Sequence, residues 1–225
     1  MTSIGNDAFS GCSGLEKVIV KDFAAWCSIS FGDNPLYYAH HLYADENTEI
    51  TDLLIPKGVT SIGNDAFCEC SSLSSVTIPE GVTTIGNYAF YNCSGLCSVT
   101  IPSSITSIGS SAFENCENLA TIVSFIEEPS SASCYDSSFS SITLNNATLY
   151  VPQGTTEKYK ADYGWKKFVW IEEGVPAGIK LPASENVESA GVLRYAPDGR
   201  RLAEPKRGLN IMKMPDGKTK KVIVR

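Results

Sequence analysis

Apolar and polar positions follow a repeating pattern along the first half of the chain. An eight-residue segment, TSIGNDAF, occurs with few changes at 2–9, 60–67, 83–90 and 106–113. In the last three copies, equivalent residues such as Ile62, Ile85 and Ile108 lie 23 positions apart. A constant interval of this length indicates a stack of similar coils, because one coil cannot bury its own apolar face without a similar neighbour.

Each repeat predicts a short strand followed by a turn. In the segment SVTIP at 75–79, Val76 and Ile78 alternate with polar residues, which is typical of a strand with one buried face. The proline ends the strand because it has no N–H to donate to a ladder. A second apolar segment at 82–85 turns the coil, and Gly86 allows the tight bend that follows.

Identical residues in stacked coils predict ladders through the core. Neighbouring strands lie about 4.8 Å apart, so we expect Phe67, Phe90 and Phe113 to stack on one another. Each buried Ile or Phe then contributes roughly 1.5–3 kcal/mol to stability. A second ladder is predicted three residues further on, at Cys12, Cys70, Cys93 and Cys116. These cysteines act as small apolar side chains, so we expect free thiols rather than disulfides.

The complete motif reads Leu-x-x-Val-x-Ile-Pro-x-x-Val-Thr-x-Ile-Gly-x-x-Ala-Phe-x-x-Cys, with copies that begin at Leu73 and Leu96. Its period and its fixed Leu, Ile and Cys positions are the signature of leucine-rich repeats. The motif resembles the BspA-type leucine-rich repeats of bacterial, Bacteroidetes-like surface proteins, and the resemblance covers about Thr2 to Glu173. It implies a β-rich leucine-rich-repeat solenoid that is right-handed and has about six coils, mostly of 23 residues.

The resemblance also implies a function. Members of this family resemble secreted or surface-anchored modules that bind proteins or glycans in adhesion, and no catalytic residues come with the family. We therefore expect a non-catalytic, monomeric binding module on the outer cell surface or outside the cell, without a cofactor. The alternative is a structural spacer that displays other domains of a longer protein.

One coil is longer than the others. The strand that begins at Leu15 is followed by an equivalent strand only at Ile50, so the segment 23–49 holds about a dozen extra residues. This segment is rich in Tyr, Trp and His, which are good anchors for a binding partner. The candidate ligand-binding residues are Trp26, Phe31, Tyr37, Tyr38, His40, His41 and Tyr43. The competing interpretation is that these rings fill space beneath a long loop.

The same segment raises two chemical hypotheses, both weak. His40 and His41 lie near acidic residues, but adjacent residues on a strand point to opposite faces, so the pair is a poor metal site. Cys27 with either histidine could act as the thiol nucleophile of a hydrolase. Nothing in the sequence orients such a pair, and we expect no metal and no enzyme.

After residue 146 the period fades, and two further parts are predicted. Residues 147–175 predict a C-terminal cap for the solenoid of residues 1–146, since a solenoid must shield its last open core. We expect a helix from about Thr155 to Tyr163, with Thr155 or Thr156 as N-cap. The predicted core of the cap consists of Trp165, Phe168 and Trp170.

Residues 176–225 predict a small antiparallel β tail, because two Pro-Asp-Gly turns separate alternating strands. The tail has eleven Lys or Arg against five Asp or Glu, a charge of +6. The whole chain carries −7, so the remaining 175 residues carry −13. An acidic body argues against nucleic-acid binding, which depends on phosphate neutralisation.

The ends and the hydropathy of the chain add two expectations. No apolar run reaches the 18 or so residues of a membrane span, and no secretory signal opens the sequence. Met1 stands directly before a mid-repeat motif, so we expect a fragment of a longer protein.

Overall fold

The structure is a computed structural model that describes residues 1–176 together with the backbone of four tail strands, at 193–195, 201–202, 208–213 and 219–224. The chain divides into two compact units, Met1–Pro182 and Ala183–Arg225. Each unit is described by itself.

The described elements of the first unit are short, as expected for coils that turn every few residues. The strands are β1 (Ser3–Ile4), β2 (Val18–Ile19), β3 (Ser30–Phe31), β4 (Leu42–Tyr43), β5 (Asp52–Leu54), β6 (Ser61–Ile62), β7 (Ser75–Thr77), β8 (Thr84–Ile85), β9 (Ser98–Ile101), β10 (Ser107–Ile108), β11 (Thr121–Ser124), β12 (Ser133–Cys134), β13 (Thr148–Val151) and β14 (Trp170–Glu173). The helices are α1 (Phe23–Cys27), α2 (Leu36–Ala39), α3 (Ser141–Asn146) and α4 (Thr156–Ala161), with a 3-10 turn at Pro129–Ser131.

The strands form parallel sheets that run along the stack. A six-stranded sheet has the order β14-β13-β11-β9-β7-β5, and a four-stranded sheet has the order β12-β10-β8-β6. Two smaller parallel pairs, β1 with β3 and β2 with β4, belong to the first coils. In the larger sheet Ser75 is paired with Ser98, and Ser98 with Thr121. Equivalent residues of successive repeats therefore lie side by side, as the sequence predicts.

Backbone hydrogen bonds also join the coils outside the strands. The amide of Phe67 donates to Ala89 O at 2.8 Å, and the amide of Phe90 donates to Ala112 O at 2.9 Å. These loops require left-handed backbone at two positions per coil, for example Asp65 and Glu69, with φ of 58° and 62°. Such φ values are uncommon outside glycine, and Asn and Asp tolerate them best. Equivalent residues in the next two coils are Tyr88, Asn92, Ser111 and Asn115.

The predicted phenylalanine ladder is confirmed. The rings of Phe67 and Phe90 are stacked at 5.4 Å between centroids, and those of Phe90 and Phe113 at 5.2 Å. All three side chains are fully buried. The ladder continues to Phe139, 5.3 Å from Phe113, although the sequence period has already faded there.

The cysteine ladder is correct for three of its four members. Cys70, Cys93 and Cys116 are fully buried, and the Sγ atoms of Cys93 and Cys116 each lie 3.1 Å from a backbone oxygen of the preceding coil. Cys12 is exposed, which corrects the prediction. The coil of Cys12 is covered on one side only, and its Phe9 is also just half-buried. All eight cysteines are free thiols.

Aromatic residues fill the far end of the stack. Trp165 and Tyr159 are fully buried, and their rings meet edge to face at 5.5 Å. The Tyr159 hydroxyl donates to Ile126 O at 2.7 Å. Trp170 was predicted to share this core, but it lies on the edge strand β14 and is 56% exposed, so that prediction is wrong. A strand alternates its side chains, and at this position the buried face is taken by residue 171 rather than by Trp170.

The helix α4 is shorter than predicted, since it ends at Ala161 rather than near Tyr163. Thr155 is its N-cap residue, but the Thr155 hydroxyl donates to Pro152 O at 2.7 Å instead of accepting from the helix. No helix in residues 1–176 has the length and apolar character needed to cross a membrane.

The second unit contains a four-stranded antiparallel sheet. Its strands are β15 (Leu193–Tyr195), β16 (Arg201–Leu202), β17 (Gly208–Lys213) and β18 (Thr219–Val224), in the order β16-β15-β17-β18. The two predicted Pro-Asp-Gly turns lie outside the described residues.

Candidate binding surface around the long coil

The extra residues of the long coil form defined structure. The segment 23–49 contains α1, β3, α2 and β4. At its start, the Asp22 carboxylate accepts a hydrogen bond from Ala25 N at 2.9 Å and so caps α1. The carboxamide of Asn34 accepts from Leu36 N at 2.9 Å and donates to Asp65 O at 2.6 Å, which fastens α2 to the following coil. The predicted site residues are therefore held on a fixed frame.

Two of the seven predicted site residues pack inward. Trp26 is 8% exposed, and its indole N–H donates to Ala66 O at 2.7 Å. The half-buried ring of Phe31 lies 5.0 Å from the Trp26 ring. For this pair the structure agrees with the interpretation that the rings fill space. The indole N–H, which is the only polar group of the Trp26 side chain, is already hydrogen-bonded within the protein.

Tyr37 and His40 lie on the side of the long coil that meets the loops of the repeats. The Tyr37 hydroxyl donates to Asp65 Oδ1 at 3.2 Å, and the Tyr37 side chain is 41% exposed. His40 has a left-handed φ of 59°, and its Nδ1 lies 3.1 Å from Glu69 O. Both residues therefore contact the coil of residues 65–69.

The repeat coils add two tyrosines to this side that the sequence analysis missed. Tyr88 and Tyr91 occupy the positions that Asp65 and Cys68 hold one repeat earlier. Their rings meet edge to face at 5.7 Å, and Tyr88 is 43% exposed. The sequence does show two tyrosines at variable positions of the repeat. It does not show that α2 contacts the same loops, so the two tyrosines could not be assigned to the candidate site from the sequence.

Amide side chains hydrogen-bond to one carboxylate and to one tyrosine on this side. Asn92 Nδ2 donates to Glu69 Oε2 at 2.6 Å, and Asn115 Nδ2 donates to the Tyr91 hydroxyl at 3.1 Å. We call the resulting surface the tyrosine face. It consists of Tyr37, His40, Asp65, Glu69, Tyr88, Tyr91, Asn92 and Asn115.

Burial controls the protonation of the centre of this face. Desolvation raises the pKa of Asp65, and the hydrogen bond from Tyr37 only partly opposes it. Desolvation, followed by the hydrogen bond and charge of Cys68, raises the pKa of Tyr37 well above its usual value. The Tyr37 hydroxyl therefore stays protonated at neutral pH and can act as a donor.

The remaining predicted residues lie elsewhere. His41 Nδ1 is paired with Glu49 Oε1 at 2.6 Å, and Lys17 Nζ lies 5.3 Å from the centre of the Tyr43 ring. Tyr43 belongs to the β2–β4 pair, His41 directly precedes β4, and Lys17 directly precedes β2. Tyr38 is half-buried within α2. The seven residues thus fall into separate groups rather than one site.

The hydrolase hypothesis has no geometric support. Cys27 is fully buried, and desolvation raises the pKa of its thiol to about 12, which disfavours the nucleophilic thiolate. The Nδ1 atoms of His40 and His41 contact Glu69 O and Glu49 Oε1, not a sulfur. Within residues 1–176, no group of three or more His, Cys, Asp or Glu could hold a metal ion.

Parallel strands stacked in register, with a buried Phe and a buried Cys in each of three successive repeats, define a leucine-rich-repeat solenoid. The model of the family described as BspA type leucine rich repeat region matches residues 41–159 in six copies. This match spans more than half of the chain, so the chain belongs to the BspA-type leucine-rich-repeat family.

The chain is similar to several solved structures, three of which are as follows. A leucine-rich cell surface protein from Faecalibacterium prausnitzii is 23% identical, with a TM-score of 0.45 over 79% of this chain and 49% of the other. A leucine-rich-repeat protein from T. pallidum is 24% identical, with a TM-score of 0.32 over 55% and 52%. One from Bacteroides ovatus is 17% identical, with a TM-score of 0.30 over 77% and 52%. The chain thus spans about half the length of these proteins, and no curated protein matches it.

Proposed function

We propose that the chain is a non-catalytic binding module of a secreted or cell-surface protein, and that its tyrosine face engages a protein or glycan partner in adhesion. The observation that supports this proposal is the set of tyrosines on adjacent coils, with Tyr37 and Tyr88 exposed while their neighbours are fixed by hydrogen bonds.

The chemistry of the face suits recognition. Tyrosine offers a large amphipathic ring and loses little conformational entropy on binding, since it has only two side-chain torsions. The carboxylates and amides beside the rings supply acceptors and donors that fix the orientation of a partner. Because Tyr37, Asp65 and Glu69 are already held by contacts, little ordering cost remains for the binding step.

We propose a corresponding organisation of the whole chain. Residues 1–146 are a right-handed solenoid of mostly 23-residue coils, 147–175 its cap, and 176–225 a small basic β tail. Hydrogen bonds between residues 23 positions apart, such as Asn87 N to Asn64 Oδ1, support the assignment of the solenoid. The buried Trp165 supports the assignment of the cap. We also propose that the protein is a monomer located outside the cell or on its outer surface.

The test is a binding screen of the labelled 225-residue chain on host matrix proteins, mucins and glycans. The variant Tyr37→Ser/Tyr88→Ser/Tyr91→Ser removes the rings of the tyrosine face. A matched control, His41→Ser/Tyr43→Ser, removes exposed or half-buried rings of the β2–β4 pair instead. We expect the first variant to lose the partner and the control to retain it.

Other results would contradict the proposal. A partner lost only by the control would move the site to the β2–β4 pair. If the screen finds no partner at all, the chain is better described as a spacer that displays other domains. Circular dichroism of both variants must match that of the parent chain for either conclusion to hold.

A further inference from the structure

A cleft lies at the far end of the stack, away from the residues of the tyrosine face. It is bounded by the segment 130–136 and the turn 162–164, and its volume is about 480 Å³. Clefts of roughly 300–1,000 Å³ are the usual size of small-molecule sites. Its lining residues include Ser130, Ser133, Tyr135, Asp136, Asp162 and Tyr163.

Two tyrosine rings on this cleft face solvent. Tyr135 is 57% exposed and Tyr163 is 63% exposed. The Tyr163 ring is nevertheless held in place, because its hydroxyl donates to Asp136 Oδ2 at 2.8 Å and Lys166 Nζ lies 4.9 Å from the ring centre. A ring that is fixed but exposed contributes little to the core and is ready to receive an apolar surface.

The carboxylates of the cleft are fixed acceptors. Asp136 Oδ1 pairs with Lys167 Nζ at 2.9 Å, and this pairing together with the Tyr163 hydrogen bond lowers the pKa of Asp136. Asp162 Oδ1 accepts from Gly164 N at 2.9 Å. An ionised carboxylate has about four lone-pair sites, so both groups keep capacity for hydroxyl donors of a ligand.

The charges of the cleft favour a neutral ligand. Lys167 already compensates Asp136, and Lys166 already lies against Tyr163. A ligand cation would compete with these lysines, whereas an anion would meet two carboxylates. A neutral ligand with many hydroxyls and an apolar C–H face neither competes with the lysines nor is repelled by the carboxylates.

The walls of the cleft are closely packed. A Cβ added at Gly164 would lie 2.5 Å from Cys134 O, so the turn 162–164 rests directly on the backbone of β12. The next residue, Trp165, is fully buried, and β12 is paired in parallel with β10. The turn on one side of the cleft is therefore anchored against β12 and against the core residue that follows it.

We propose that this cleft is a saccharide-binding site, distinct from the tyrosine face. The C–H face of a sugar ring packs against Tyr163 or Tyr135, and its hydroxyls donate to the free lone pairs of Asp136 and Asp162. Ser130 and Ser133 supply hydroxyl groups at the edge of the cleft.

The proposal is tested with the whole chain and a panel of soluble, neutral oligosaccharides, by isothermal titration calorimetry. We expect at least one saccharide to bind, and both Tyr163→Ala and Asp162→Asn to weaken that binding by about tenfold or more. Tyr163→Phe keeps the ring and should retain most of the affinity. Tyr43→Ala, outside both the cleft and the tyrosine face, is the control and should change nothing. A separate variant, Tyr88→Ala, reports whether a saccharide binds the tyrosine face.

Two outcomes would overturn the inference. The first is that no saccharide of the panel binds at millimolar concentration. The second is that binding is unchanged in Tyr163→Ala and in Asp162→Asn; if Tyr88→Ala then abolishes it, the sugar binds the tyrosine face. Melting curves identify any variant that fails to fold, and Tyr163→Phe still decides whether the ring is what matters.

Discussion

Several buried thiols are strongly perturbed acids. Desolvation raises the pKa values of Cys27, Cys68, Cys70 and Cys134 from 9.0 to about 12. In Cys93 and Cys116 the sulfur also approaches a backbone oxygen of the previous coil, at 3.1 Å in each case. The buried cysteines thus act as small apolar groups. For Cys27, Cys68, Cys70 and Cys134, burial favours the protonated thiol in the folded state.

This perturbation predicts a loss of stability at high pH. Below about pH 8 both states keep these thiols protonated, so they cause no pH dependence. Above pH 9 the unfolded chain releases protons that the native protein retains, and each thiol lowers the unfolding free energy by up to about 1.4 kcal/mol per pH unit until its folded pKa is reached. Urea denaturation at a series of pH values from 7 to 11 measures the slope.

The matched variants for this measurement are Cys70→Ala, which removes a buried thiol, and Cys97→Ala, which removes an exposed one. We expect a shallower alkaline slope in the first and the parent slope in the second. Equal slopes in both variants would show that the buried thiols do not control alkaline stability.

At the scale of the single coil, Gly86 allows two neighbouring coils to approach each other closely. A Cβ at Gly86 would lie 2.6 Å from Asn64 N and 2.7 Å from Asn64 Oδ1 of the preceding coil. The same Asn64 Oδ1 accepts from Asn87 N at 2.9 Å. Gly5 holds the equivalent position in the first repeat, but nothing lies within 4 Å of its added Cβ.

We therefore expect Gly86→Ala to destabilise the protein by about 1–3 kcal/mol, as overpacking does in well-packed interiors. Gly5→Ala should be neutral or slightly stabilising, since alanine restricts the unfolded chain. Chemical denaturation of the two variants gives the difference. A Gly86→Ala variant as stable as the parent chain would mean that the coils can separate without cost.

The sequence predicted those elements in which position in the period determines environment. The strands and the inward Phe and Cys residues recur at fixed intervals. Gly86 was expected only to allow a tight bend, and the structure shows that it allows a close approach to Asn64 of the preceding coil. The long coil has no period, so the sequence could not tell that Trp26 points inward while Tyr37 points to the loops. The burial of Trp170 was predicted wrongly for a similar reason. Its strand occurs once, so no equivalent residue in another repeat shows which side of the strand is buried.

At the scale of the whole molecule, the same type of residue is buried to different extents in different coils of the stack, so its contribution to stability differs. Phe90 lies between Phe67 and Phe113 and is fully buried. Phe9 begins the ladder in sequence but is only half-buried. Cys12 was mispredicted for this reason, since the repeat pattern shows the coil but not whether a neighbour covers it.

The prediction is that Phe90→Ala costs about 3–5 kcal/mol, the usual cost of deleting a buried phenylalanine ring. Phe9→Ala should cost distinctly less, because its ring keeps part of its surface in water. Thermal and urea unfolding of both variants test this difference. Equal losses would show that the first coil is as well packed as the central ones.

The hydrogen bonds between coils have a consequence for how such a protein changes over generations. Each repeat presents the acceptors that the preceding repeat needs, as in Phe67 to Ala89 and Phe90 to Ala112. An in-frame duplication of one repeat in the gene would insert a coil whose two neighbours already fit it. The number of repeats is therefore free to vary by recombination, whereas the long coil has no copy of itself from which such a duplication could start.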